Sequence, residues 1–70
     1  MINTEQIRVN LVKAIKNSNV SQTEIANRIG VIQQSVSQYI SGRAMPSLET
    51  FANLCVALDL DANEILCIKN

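Results

Sequence analysis

Apolar residues recur along the chain at spacings of three and four, the period of helices with one buried face. Ile7, Leu11, Ala14 and Ile15 form such a face on a first helix, capped by Asn3 or Thr4 and ending near Ser18, where Asn19 suits the left-handed conformation that stops a helix. Ile25, Ala26 and Ile29 mark a second helix starting at Gln22, and Val36 and Ile40, at i and i+4, anchor a third from about Ile32 to Ile40. Leu48, Phe51, Leu54, Cys55 and Leu58 predict one buried stripe on a fourth helix capped by Ser47, and Ile65, Leu66 and Ile68 predict a short fifth. The pattern predicts an all-α five-helix bundle forming a single domain over residues 1–70, without repeats, low-complexity segments or a linker.

The polar punctuation agrees with these bounds. Ser21 and Glu24 form a capping box, in which the hydroxyl accepts the amide three residues on and the carboxylate returns to the Ser21 amide. Asp61 and Glu64 repeat that logic at the fifth helix. Gly30 supplies the positive backbone angle of a sharp turn between helices two and three, with Val31 plugging the corner, and Ser41-Gly42 closes helix three.

Helix three is unusual on the side that Val36 and Ile40 leave free. It carries Gln33, Gln34, Ser35, Ser37 and Gln38, amides and hydroxyls with no charge. A merely solvated face would favour Lys and Glu, whose pairs support exposed helices. A glutamine amide can donate and accept one hydrogen bond at adenine N6 and N7, and the major groove admits one helix. These residues therefore point to a sequence-specific DNA-binding module.

Composition narrows the alternatives. Seventy residues can build only one small core, and with one Phe, one Tyr and no Trp that core must be aliphatic. Formal charge is zero, but up to Met45 Arg8, Lys13, Lys16, Arg28 and Arg43 outnumber Glu5 and Glu24, leaving +3. From Pro46 onward Lys69 faces Glu49, Asp59, Asp61 and Glu64, leaving −3. The positive half contains the glutamine face. Arg28 and Lys16 are either solvated charges or contributors to the field near DNA.

There is no His, no paired carboxylates in a pocket and no phosphate-binding glycine loop, so no catalytic residue, metal, cofactor or small-molecule substrate is expected. Cys55 and Cys67 lack metal-ligand spacing and read as reduced thiols used for apolar packing. The longest apolar runs fall far short of the about 20 residues of a membrane span, and no signal pattern opens the chain, so no membrane partner and a cytoplasmic location are expected.

The ordered set Ser21-Gln22, Glu24, Ala26, Gly30-Val31, Ser37-Gln38-Tyr39, Ser41-Gly42-Arg43, Pro46-Ser47 and Ala57-Leu58 resembles the helix-turn-helix domain of phage repressors and Cro proteins, the lambda-repressor-like or XRE family. The resemblance covers Ser21 to Leu66. Gln33 to Gln38 are similar to the recognition helix of lambdoid repressors that read operators with glutamines. The resemblance implies that Gln33, Gln34 and Gln38 face base edges while Gln22 and Arg43 hold phosphates. Gln22 would do so beside the unpaired amides of a helix N-terminus. Tyr39 either covers the core edge with its hydroxyl in solvent or reaches a phosphate, and Ser41 is a turn residue that is also a phosphate candidate.

Two positions depart from the family pattern. Ile32 stands where a capping Ser or Thr is usual, which costs about 1 kcal/mol; it either touches a thymine methyl or packs on the turn. Ile40 stands where many members place a Glu paired with an Arg on helix one, at the position of Ile15 here. An apolar pair can replace a buried ion pair at no net cost, so Ile15 is expected against Ile40.

Weak net charge argues for a homodimer on a pseudo-palindromic operator in double-stranded DNA, since two copies double the phosphate contacts. By resemblance its interface involves the last helices. Ile65, Leu66, Cys67 and Ile68 either supply that interface or complete the monomer core. The leading expectation is a transcriptional repressor of phage or mobile-element type. The alternative is a protein-interaction module of the same fold, an antirepressor or antitoxin.

Overall fold

The structure, a computed structural model, describes residues 1–68; Lys69 lies outside them. Five helices follow in order: α1 (Thr4–Asn17), α2 (Gln22–Ile29), α3 (Gln33–Ser41), α4 (Leu48–Leu58) and α5 (Ala62–Ile65), with no strand among the described residues.

Local chemistry explains each boundary. Asn3 Oδ1 accepts the Gln6 amide at 2.8 Å, Ser21 Oγ that of Glu24 at 3.1 Å, and Ser47 Oγ that of Thr50 at 3.2 Å. Asp61 Oδ1 accepts the Asn63 and Glu64 amides. The two capping boxes close in one direction only. Glu24 turns away from the Ser21 amide to accept from Arg28 Nε at 2.9 Å, because a charged partner one turn along offers a stronger bond than a neutral amide. Glu64 likewise makes no return bond to Asp61 among the described residues. Asn19, Gly30, Gly42 and Asp59 take positive φ at the helix exits.

Every helix sends at least one side chain into a single core: Leu11 and Ile15 from α1, Ile25 and Ala26 from α2, Val36 from α3, Leu54 from α4 and Ile65 from α5. No polar or charged residue is buried with them among the described residues. α2 packs on α3 and α4, while α1 packs on α3 and α5. Ile15 lies inside this cluster and Ile40 packs against its rim, so both positions are part of one apolar assembly.

Several expectations need correction. Leu48 is not in the buried stripe of α4; it is 85% exposed. At about 3.6 residues per turn it falls at the margin of the Phe51, Leu54, Cys55 and Leu58 face, and side chains lean toward the helix N-terminus. At the first helical position it therefore projects off the end of the core. α5 is a single turn: Ile65 is core, Leu66 is half-buried, and Ile68 lies beyond the helix and is exposed. Cys55 packs on the core rim, half-buried, whereas half-buried Cys67 takes φ +63° in the turn after α5 and accepts from Asn10 Nδ2 at 3.4 Å.

Side chains that the apolar pattern does not reveal fasten the helices. Asn10 Nδ2 also donates to the Ile65 carbonyl at 3.1 Å, tying α1 to α5. Arg28 Nη1 donates to the Ala57 carbonyl at 3.1 Å, tying α2 to the last turn of α4, where helix carbonyls lack intrahelical partners. Arg28 is thus a cross-tie rather than a free surface charge.

Leu54 has no exposed surface and comes from the helix that closes the bundle over α2. Leu54→Ala is expected to cost about 2–5 kcal/mol, read as a lowered urea midpoint; a loss well below that range would show that α4 does not seal the core.

Candidate nucleic-acid interface

The helix-turn-helix unit is built from the Gly30 turn. The αL conformation at Gly30, φ +73°, lets both the Gly30 and Val31 amides return to the Ala26 carbonyl, at 2.9 and 3.1 Å. The chain reverses there in the space of two residues. Val31 packs on the core, and α3 begins at once.

α3 is oriented by burial. Val36 has no exposed surface, and Tyr39 and Ile40 pack half-buried beside it. With about 3.6 residues per turn, Gln34, Ser37, Gln38 and Ser41 then share the opposite face, while Gln33, in the first turn, lies at its edge on the Ile40 side; all five are exposed. Gln34, Ser37, Gln38, Ser41 and Arg43 line one shallow concavity of about 360 Å³. Ser35 does not join them. It lies toward the Tyr39 side of the helix and is half-buried, with its amide bonded to the Ile32 carbonyl at 3.0 Å.

The flanking candidates divide in the same way. Ile32 is the N-cap of α3, makes no side-chain cap bond and is 66% exposed at the start of the glutamine face. Gln22 is the first residue of α2 and half-buried, and the Gln22 and Thr23 amides make no protein hydrogen bond. Arg43 is exposed just after α3, with no ion-pair partner among the described residues. Ser41 Oγ donates to the Gln38 carbonyl at 3.1 Å, which makes it a helix-closing residue with lone pairs still free. Tyr39 covers the core edge.

Charge separates this face from the rest of the surface. α3 carries no acidic or basic residue, and Arg43 follows it. A larger groove of about 870 Å³ lies between α1 and the α4–α5 segment, where Asp59, Asp61 and Glu64 face Lys13. An excess of carboxylates there repels a phosphate backbone, so size alone is a poor guide to the site. Beside this groove, burial and then the Asp61 carboxylate push the Cys55 thiol up from its ordinary value, keeping it protonated and poorly nucleophilic at neutral pH. Among the described residues no cluster of three or more His, Cys, Asp or Glu could hold a metal ion, and no helix is long and apolar enough to cross a membrane.

A family model described as helix-turn-helix, HTH_3, matches residues 11–65, from the first buried residue of α1 to the last of α5. No curated protein and no solved structure matches the chain.

The missing cap on α3 is testable. Ile32→Ser supplies the hydroxyl that Ser21 and Ser47 supply to α2 and α4, and should raise stability by about 1 kcal/mol, read by thermal unfolding. No gain would mean that Ile32 packs on the turn strongly enough to offset the open amides.

Proposed function

The chain belongs to the HTH_3 helix-turn-helix family, of Cro and XRE type, and is a DNA-binding transcription regulator; from that premise we propose that it is a repressor of phage or mobile-element type that reads a pseudo-palindromic operator as a homodimer. The observation that carries the reading is the uncharged, exposed face of α3. Gln34, Ser37 and Gln38 stand on it away from Val36, with Gln33 and Ile32 exposed at its leading end. Amide groups there match the donor and acceptor pattern of adenine in the major groove. Gln22, Ser41 and Arg43 lie at the two ends of the helix pair, where phosphates would run. Ser35 and Tyr39, both half-buried, contribute less to either role.

Dimerisation draws support from the outer face of α4. Leu48 and Val56 are 85% and 84% exposed, and with exposed Ala52 between them they form an apolar stripe at i, i+4 and i+8. A helix apolar on both faces usually has a partner on each. Crossed about Ala52, a second copy would set Leu48 of each chain near Val56 of the other, without opposing like charges. The molecule measures 33 × 23 × 21 Å, so two side by side can set their α3 helices about one DNA turn, roughly 34 Å, apart.

Two experiments test these readings. Gln33→Ala and Gln38→Ala should each erase about 1–3 kcal/mol of discrimination at a base selected from random DNA, while nonspecific affinity stays. An unchanged selected sequence would remove the glutamines from recognition, and a flat salt response of the parent protein would favour the protein-interaction alternative, antirepressor or antitoxin. For assembly, sedimentation should show that Leu48→Glu shifts the protein to monomer and weakens operator binding. A parent protein that binds its operator as one copy would overturn the dimer.

A further inference from the structure

We propose that Arg8, on α1, is a DNA-backbone contact held in reserve by Glu5: free, its guanidinium pairs with that carboxylate, and on DNA it exchanges the carboxylate for a phosphate beside Arg43. The inference rests on the DNA-binding reading and extends its site to α1. Arg8 and Glu5 precede the stretch matched by the family model, which begins at Leu11.

A Cβ placed on Gly42 would lie 3.3 Å from Arg8 Cδ and 3.8 Å from its Cγ. The arginine stem therefore crosses the residue that ends α3, whose φ is +79°, between Ser41 and Arg43. Two guanidinium groups thus flank the C-terminal end of the proposed recognition helix. Two other cations are engaged elsewhere: Arg28 bonds Glu24 and the Ala57 carbonyl, and Lys13 faces the acidic groove.

The bonding of Arg8 is incomplete. Nη1 lies 2.7 Å from Glu5 Oε1, but Nε is buried and makes no hydrogen bond. A stranded donor in a guanidinium is a cost that the pair with Glu5 does little to offset. That pair spans i to i+3 on the surface, with the Glu5 side chain 70% exposed, so water and salt screen it. A backbone phosphate presents two non-bridging oxygens that a planar guanidinium can engage with two N–H groups at once, whereas Glu5 engages it through one oxygen only. Swinging outward would also return Nε to water or give it a phosphate oxygen. The Glu5 pair is therefore the weaker of two alternatives, and it shields the charge until DNA arrives.

The test is the salt dependence of binding to fluorescein-labelled double-stranded DNA of mixed sequence, read by anisotropy, for the parent protein, Arg8→Gln, Glu5→Gln and Lys16→Gln. Arg8→Gln should make the log–log slope shallower by about 0.9, the loss of one phosphate. Lys16→Gln, which removes the same charge from the far end of α1, should leave the slope in place, and Glu5→Gln should bind several-fold tighter at low salt. A steep parent slope that Arg8→Gln does not change, or an equal loss from Lys16→Gln, overturns the contact. Should Arg8→Gln unfold, Glu5→Gln decides, since unchanged or weaker binding overturns the proposal. A flat parent response instead defeats the DNA reading on which it rests.

Discussion

The burial of Val36 is the constraint on which the surface chemistry depends. α3 has nine residues and no side-chain cap at its start, too short a helix to persist in water by its own hydrogen bonds. What holds it is packing: Val36 fully enclosed, with Tyr39 and Ile40 leaning on the same cluster. Once that valine is enclosed, helical periodicity leaves no freedom over which side chains face outward. The exposure of Gln34, Ser37 and Gln38 is a consequence of an aliphatic contact on the opposite side, and Gln33 is exposed because it opens the helix. Ile15 in the core and Ile40 on its rim serve the same end, since apolar side chains there make no demand for a matching charge.

Around that contact, polar side chains tie helices together at their C-terminal ends. Arg28 reaches the Ala57 carbonyl near the end of α4, Asn10 reaches the Ile65 carbonyl at the end of α5, and the Arg8 stem lies against Gly42 at the end of α3. Helix C-termini concentrate unpaired carbonyls and partial negative charge, so donors are favoured there. In a chain of this size, with few aromatic residues to widen the core, such ties hold the relative placement of helices that a small aliphatic cluster specifies loosely.

Charge is arranged with a similar economy. The chain is neutral in sum, yet the α3 face is uncharged with Arg43 beside it, while the α1 to α4–α5 groove is acidic. A molecule with this distribution gains little from long-range attraction to nucleic acid and must rely on short-range bonds to bases and on a few well-placed cations. That is the physical setting in which a second copy, or one additional guanidinium, changes affinity most.

The sequence by itself determined what is local. Asn3, Ser21, Ser47 and Asp61 cap their helices, Asn19 and Gly30 reverse the chain, and Leu11, Ile15, Ile25, Val36, Leu54 and Ile65 turn inward. Each of these is decided by neighbours within about one helical turn, so spacing along the chain reveals it. Even the uncapped start of α3 was legible in Ile32. Tertiary structure alone decided that Leu48 lies outside the core although it borders the buried stripe of α4. It also decided that Arg8, Asn10 and Arg28 meet residues 34, 55 and 29 positions away. Those outcomes turn on how far one helix extends past another and on which carbonyl an unrelated helix end presents. The hydrophobic period records which face is buried, and it carries no information about what that face will meet.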